Sequence, residues 1–135
     1  RSNKGRPNLL VADDNEVNLD LLKIFLSSEN FNVDFTSDGK SAFELSKSKK
    51  YDLILMDVQM PVMDGLEATR LIRDWERQQG QLPAAILAFT AGVTSKELQN
   101  CQNSGCNDYI TKPIEKEKVI TKIKEALVRR LRERR

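Results

Sequence analysis

The sequence contains no histidine and only two cysteines, Cys101 and Cys106. A zinc site would have to be completed by Asp or Glu, and a disulfide framework would need more thiols. Two core thiols is the simpler expectation, because free cysteine behaves as a small apolar residue. No apolar run nears the roughly 18 residues that a membrane span requires, and no basic segment leads into an apolar stretch at the start. The expectation is a cytoplasmic domain that makes no membrane contact. A dominant charge is lacking too: 22 Lys and Arg face 20 Asp and Glu, a net +2. No bulk field draws the molecule to nucleic acid. The RRLRERR end reads as a solvated helix end, where cations complement the dipole, with no recognition fold beside it.

A length of 135 residues suits one domain. The opening RSNKGRP, residues 1–7, reads as a linker, 8–128 as the domain and 129–135 as the basic end of its last helix. The opening also lacks an initiator Met, which suggests a piece of a longer chain. LLVA (Leu9 to Ala12), LILM (Leu53 to Met56) and AAILA (Ala84 to Ala88) are short, continuous apolar runs, as expected of strands covered on both faces. NVDFT (Asn32 to Thr36) alternates and suits an edge strand, and DYI (Asp108 to Ile110) is a shorter fifth. Between them the period becomes helical. Val17, Leu21, Ile24 and Phe25 mark a first helix, Ala42, Phe43 and Leu45 a second, and Ala68, Leu71, Ile72 and Trp75 a third. Val119, Ile120, Ile123, Ala126, Leu127 and Leu131 mark a long last one, while Ser95 to Asn103 carries only Leu98 and Cys101 as apolar residues. Strands alternating with helices imply parallel strands, right-handed crossovers and a three-layer α/β sandwich.

In such a sheet the functional crevice lies beyond the carboxyl ends of the strands. Asp13 and Asp14 follow the first run, Asp57 the third, Thr90 comes two residues after the fourth and Lys112 two after the fifth. Each has an ordinary explanation alone; Asp13, Asp14 and Asn15, for instance, are favoured helix caps. Capping does not explain acids, a hydroxyl and a lysine at successive strand ends. Carboxylates converging there would repel one another, and Lys112 with a divalent cation would compensate. An all-oxygen donor set favours Mg²⁺. Asp57, fixed by its strand, is then placed to attack a phosphoryl group, with Thr90 as a hydrogen-bond donor to the transferred oxygens.

The segments VADDNEVN, LILMDVQMPVMDG, LAFTA and DYITKP, in this order, closely resemble the receiver domain of two-component response regulators, over about Asn8 to Leu127. The resemblance implies a flavodoxin-like doubly wound (βα)5 sandwich with the parallel order 2-1-3-4-5, an order for which a receiver is itself a standard illustration. It implies Asp57 as phosphoacceptor, with Mg²⁺ bound by Asp14, Asp57 and the Gln59 backbone carbonyl, and by Asp13 through water. It implies that Lys112 pairs with the phosphoryl oxygens across a cis peptide to Pro113, that Thr90 swings toward them, and that Tyr109 follows inward. Tyr109 has an equal reading as an edge aromatic whose hydroxyl takes any acceptor. Ala91 would leave the site open, and Pro61 and Gly65 would shape the loop that presents Gln59. Gln59 and Gly92 occupy positions that tune phosphoryl lifetime in the family.

The expected function is to receive phosphate from a phosphohistidine on a histidine kinase or phosphotransfer domain, and to switch the surface of helix 4, strand 5 and helix 5. The chemistry would be limited to self-phosphorylation and self-dephosphorylation. DDNEVN and MDVQMPVMDGLEAT look most like receivers of hybrid histidine kinases; a stand-alone regulator is the alternative, and a phosphorylation-dependent homodimer a further expectation. An aspartate-nucleophile phosphatase of the haloacid dehalogenase type would carry a second acid two residues after the nucleophile, where this chain has Gln59. A flavin mononucleotide binder would need a Ser/Thr-rich phosphate loop after the first strand, where this chain has acids.

Overall fold

The structure, a computed structural model, describes residues 5–133. Residues 1–4 of the expected linker and 134–135 of the basic end lie outside the described residues. Five strands alternate with five helices: β1 (Asn8–Ala12), α1 (Glu16–Ser27), β2 (Asn32–Thr36), α2 (Gly39–Ser48), β3 (Leu53–Asp57), α3 (Gly65–Gln79), β4 (Ala85–Thr90), α4 (Ser95–Ser104), β5 (Asp108–Thr111) and α5 (Lys116–Glu133). All strand pairs are parallel, in the order β2-β1-β3-β4-β5. This is the flavodoxin-like arrangement.

The continuous apolar runs conceal a period of two that divides them between two cores. Leu9, Val11, Leu53, Leu55, Leu87 and Phe89 face Leu22 and Leu26 of α1 and Val119, Ile123 and Ala126 of α5. Their neighbours Leu10, Ala12, Ile54, Met56 and Ile86 face Ala42 of α2 and Ala68 and Ile72 of α3. Burial on both faces is why these strands carry no polar alternation. β2, half-buried throughout, lies at the sheet edge as its alternating pattern requires.

Two sequence expectations need correction. On α1, Val17 and Ile24 are each 66% exposed, and the buried side chains are Leu22 and Leu26, with Leu19 packed against the core. This helix carries apolar residues on two stripes, and the stripe Leu19, Leu22, Leu26 wins the core because it faces α5. β4 also runs two residues further than its apolar run suggested, so Thr90 ends the strand instead of following it. Thr90 is still paired, abreast of Thr111.

The polar α4 is defined by its ends. Thr94 caps it, and Glu97 completes a capping box by reaching back to the cap. At the other end Gly105, at φ +109, closes the helix, with the Cys106 amide donating to the Cys101 carbonyl at 3.1 Å. Arg73 of α3 pins that end, donating to the carbonyls of Gly105 (3.0 Å) and Ala84 (2.8 Å), to Asn107 Oδ1 (2.7 Å) and to Glu76 Oε1 (2.7 Å). Glu76, almost fully buried, accepts the Ala84 amide at 2.8 Å, so its charge is paired and bonded.

After β3 the chain makes a tight loop. Val62 sits at φ +69 between Pro61 and Met63, whose amide donates to the Pro61 carbonyl at 2.7 Å. The loop is then drawn back: the Gly65 amide donates to the Val58 carbonyl at 2.9 Å, and a Cβ on Gly65 would lie 2.0 Å from the Asp57 backbone oxygen. Gly65→Ala is therefore expected to destabilise the domain by about 1–3 kcal/mol, the usual cost of overpacking. Urea denaturation checks this; unchanged stability would show that the close approach does not constrain the loop.

Candidate functional site

The sheet register assembles the site. Ala12 pairs with Met56 across β1 and β3, so Asp13 comes level with Asp57 one step later. Asp57 pairs with Phe89, and Thr90 pairs with Thr111, which puts Thr90 one step and Lys112 two steps beyond the level of Asp57. The strands thus deliver Asp13, Asp57, Thr90 and Lys112 to the same end of the sheet without any long loop.

Asp57 is 2% exposed. Its Oδ1 accepts from Lys112 Nζ at 2.9 Å and from the Gln59 amide at 3.3 Å. Asp13 is fully buried and held by its own turn: Oδ1 accepts the Asn15 amide at 2.9 Å and Oδ2 accepts Asn18 Nδ2 at 3.2 Å. Asn15, not either acid, caps α1, accepting the Asn18 amide at 3.0 Å. Capping is thereby taken over by the third polar residue, and Asp13 and Asp14 remain available at the site. Asp13, buried, Asp14, exposed, and Asp57, buried, place one carboxylate oxygen each within 4.8 Å of one another. Three oxygen donors with no nitrogen or sulfur fit a hard divalent cation such as Mg²⁺.

A cavity of about 200 Å³ opens beside this cluster, lined by Asp57, Gln59, Thr90, Ala91, Lys112 and Glu97 among others. Thr90 is nearly buried, and its hydroxyl donates to the Gly92 carbonyl at 3.0 Å. The Lys112–Pro113 peptide is cis, and the Lys112 amide donates to the Thr90 carbonyl at 3.0 Å, which joins the two loops beside the cavity. Tyr109 does not line this cavity. It lies on a separate groove of about 520 Å³ between β5 and α5, with Lys122 Nζ 5.9 Å from its ring centre. Sequence reasoning missed Asn18, which holds Asp13, and Glu97, which lines the cavity. The Thr94-x-x-Glu97 spacing after the fourth strand signalled the second of these. The two cysteines are free thiols, Cys101 buried and Cys106 partly so, and burial pushes both above the usual thiol value.

The electrostatics are dominated by Asp57. Burial pushes its carboxyl up to about 6, with the Lys112 hydrogen bond opposing and the Asp13 charge adding to the rise. Between the ordinary carboxylate value of 3.8 and about 6, the folded protein keeps a proton that the unfolded chain releases. Stability therefore falls as pH rises through that window. Asp57→Asn removes the charge, so it should stabilise the metal-free domain by about 1–3 kcal/mol at neutral pH, a gain that vanishes near pH 4. Chemical denaturation at the two pH values measures it; a variant less stable than the parent at neutral pH would refute the electrostatic account.

The sequence matches the family described as response regulator receiver domain over residues 9–124. It is 41% identical over 108 residues to the sensor protein GacS of Pseudomonas syringae pv. syringae, covering 80% of this chain and 12% of that protein. It is 37% identical over 123 residues to the osmosensing histidine protein kinase SLN1 of Saccharomyces cerevisiae, covering 87% of this chain and 10% of the relative. The chain thus spans a small fraction of these relatives. Among solved structures it resembles the receiver domain of Ssk1, crystallised with the S. cerevisiae histidine phosphotransfer protein Ypd1, with TM-score 0.85 and 35% identity, covering 89% of this chain and 88% of that one. It also resembles the receiver domain of the Pseudomonas aeruginosa sensor histidine kinase PA1611, whose active-site cleft coordinates a magnesium ion, with TM-score 0.81 and 32% identity, covering 91% and 98%. With a match over most of its length and an acidic cluster at the carboxyl end of its sheet, the chain belongs to the response regulator receiver domain family.

Proposed function

We propose that Asp57 accepts a phosphoryl group from a phosphohistidine, carried by a histidine kinase or a phosphotransfer domain, and that this domain is the receiver portion of a hybrid sensor kinase. The observation that carries the reading is the placement of Asp57: a buried carboxylate at the end of the central strand, paired with Lys112 at 2.9 Å and set between two other acids and a cavity. The strand fixes the nucleophile, as proximity catalysis requires. Lys112 and the Gln59 amide both hold Oδ1, so the second oxygen is held by neither.

In the transfer, a carboxylate oxygen of Asp57 forms the new bond to phosphorus as the bond to the donor imidazole nitrogen breaks, and the departing imidazole keeps the electron pair. Lys112 neutralises charge on the transferring oxygens. Asp14 and Asp57, with Asp13 behind them and the Gln59 carbonyl as a further donor, would hold Mg²⁺. That ion supplies charge neutralisation at the phosphoryl oxygens. Thr90 then exchanges its bond to Gly92 for one to the phosphoryl group, and Lys112, linked to Thr90 through the backbone, couples the change to β5. The response is a population shift in the surface of α4, β5 and α5, with Tyr109 following inward.

The donor's docking surface is supported by α1. Its second apolar stripe, Val17 and Ile24, is exposed, and the helix begins beside Asp14. Val62, 79% exposed in the loop after β3, offers further apolar surface. One relative quoted is a histidine protein kinase and one structural neighbour was solved with a histidine phosphotransfer protein, which supports a protein donor.

Labelled phosphohistidine donor should transfer its label in a Mg²⁺-dependent way, and Asp57→Asn should abolish labelling; full labelling of that variant would move the acceptor elsewhere. Ile24→Asp should slow transfer from the protein donor about tenfold, the scale of losing one interface anchor. Its rate with acetyl phosphate should stay unchanged, and equal loss with both donors would remove α1 from the docking surface.

A further inference from the structure

The loop between β4 and α4 is held by contacts that a phosphoryl group would disturb. The Thr90 hydroxyl donates to the Gly92 carbonyl at 3.0 Å and accepts the Gly92 amide at 3.1 Å. The carboxylate of Glu97 lies against the same residue. Its Oε1 accepts the Thr94 hydroxyl at 2.7 Å and the Thr94 amide at 3.3 Å. A Cβ built on Gly92 would lie 1.9 Å from Glu97 Oε2, so a side chain there would displace the Glu97 carboxylate. Glu97 lines the cavity that also contains Asp57, Thr90 and Lys112.

This charge has the wrong sign for a pocket that is to hold an anion. A helix N-terminus favours negative charge within its first turn. Here Glu97 already occupies that position on α4 and leaves its own charge at the cavity wall. A phosphoryl group brings about two more negative charges. Thr90 can donate to it only by leaving Gly92, the residue on which Glu97 rests. The far end of α4 is meanwhile pinned to α3 through Arg73 and the Gly105 carbonyl. Repulsion and loss of the Thr90–Gly92 bond act in the same direction, on the capped N-terminal end of the helix.

We propose that Glu97 is a positioning residue that converts the charge of the phosphoryl group on Asp57 into displacement of the first turn of α4. The inference rests on the acceptor reading and deepens it. The Glu97 carboxylate opposes loading in the arrangement seen here, and the opposition is relieved when the turn moves away from Gly92 about the end held by Arg73. Without that charge the site would load more readily while moving α4 less.

Beryllofluoride with Mg²⁺, added to the intact domain, is the probe. Glu97→Gln keeps the side chain that a capping box accepts, so its thermal midpoint should fall only slightly, by the lost interaction of the charge with the helix dipole. It should bind beryllofluoride about fivefold more tightly, at the low end of ordinary coupling between sites, with the gain shrinking as salt rises. Amide chemical shifts over Ser95 to Leu98 should move less on loading than in the parent. Gly92→Ala, which displaces the Glu97 carboxylate directly, should give a similar gain that does not add to that of Glu97→Gln. If the parent binds and Glu97→Gln binds equally, with equal shifts over α4, the role assigned to Glu97 is overturned. If the parent itself does not bind, the acceptor reading fails and this inference with it.

Discussion

A negative charge buried at the end of the central strand is the constraint around which the domain is arranged. Asp57 is nearly inaccessible and shares its end of the sheet with Asp13, itself fully buried. Water cannot stabilise either carboxylate fully, so the protein must answer the charge with its own groups. It does so unequally. Asp13 receives the Asn15 amide and the Asn18 side chain, whereas Asp57 receives one ammonium from Lys112 and a longer amide contact from Gln59. Three carboxylates beside one ammonium leave the site short of positive charge, which is what supports the proposed cation and acceptor roles.

The surrounding fold keeps that shortage from being relieved by collapse. Strand register sets Asp13 level with Asp57, Thr90 one step further out and Lys112 two. Gly65 lets the loop after β3 return against the Asp57 backbone, while the two cores on opposite faces of the sheet hold β1, β3 and β4 rigid. In the proposed switch, the parts that move are the loops after β4 and β5. There the Thr90 hydroxyl is engaged with the backbone turn at Gly92, and α4, whose sequence offers few apolar contacts, is held by its caps and by Arg73. A helix anchored at its ends can be shifted at one of them with little disturbance to a core.

The parts of this arrangement carried by strands were legible in the sequence. A continuous apolar run ending in a charged residue identifies both the strand and its carboxyl end, so Asp13 and Asp57 could be placed there from the sequence, with Lys112 two residues after the shorter DYI segment. What was not legible depended on choices between equal local signals. α1 has two apolar stripes, and only packing against α5 decides that Leu22 and Leu26 are buried while Val17 and Ile24 face solvent. Asp13, Asp14 and Asn15 could each cap that helix, and the backbone assigns the cap to Asn15. Glu97 escaped because a capping residue is ordinarily local in its effect; its place at the cavity wall follows from how close Gly92 brings the turn.

The electrostatic claim can be examined at the atom that carries it. A carbon-detected titration of the Asp57 carboxyl in the metal-free domain should show a midpoint near 6, well above the usual 3.8. Mg²⁺ should move that midpoint sharply downward, since the ion and the proton compete for the same oxygens. A midpoint near 3.8 that is indifferent to Mg²⁺ would contradict the account, because Asp57 would then be an ordinary solvated carboxylate and the cluster around it no metal site.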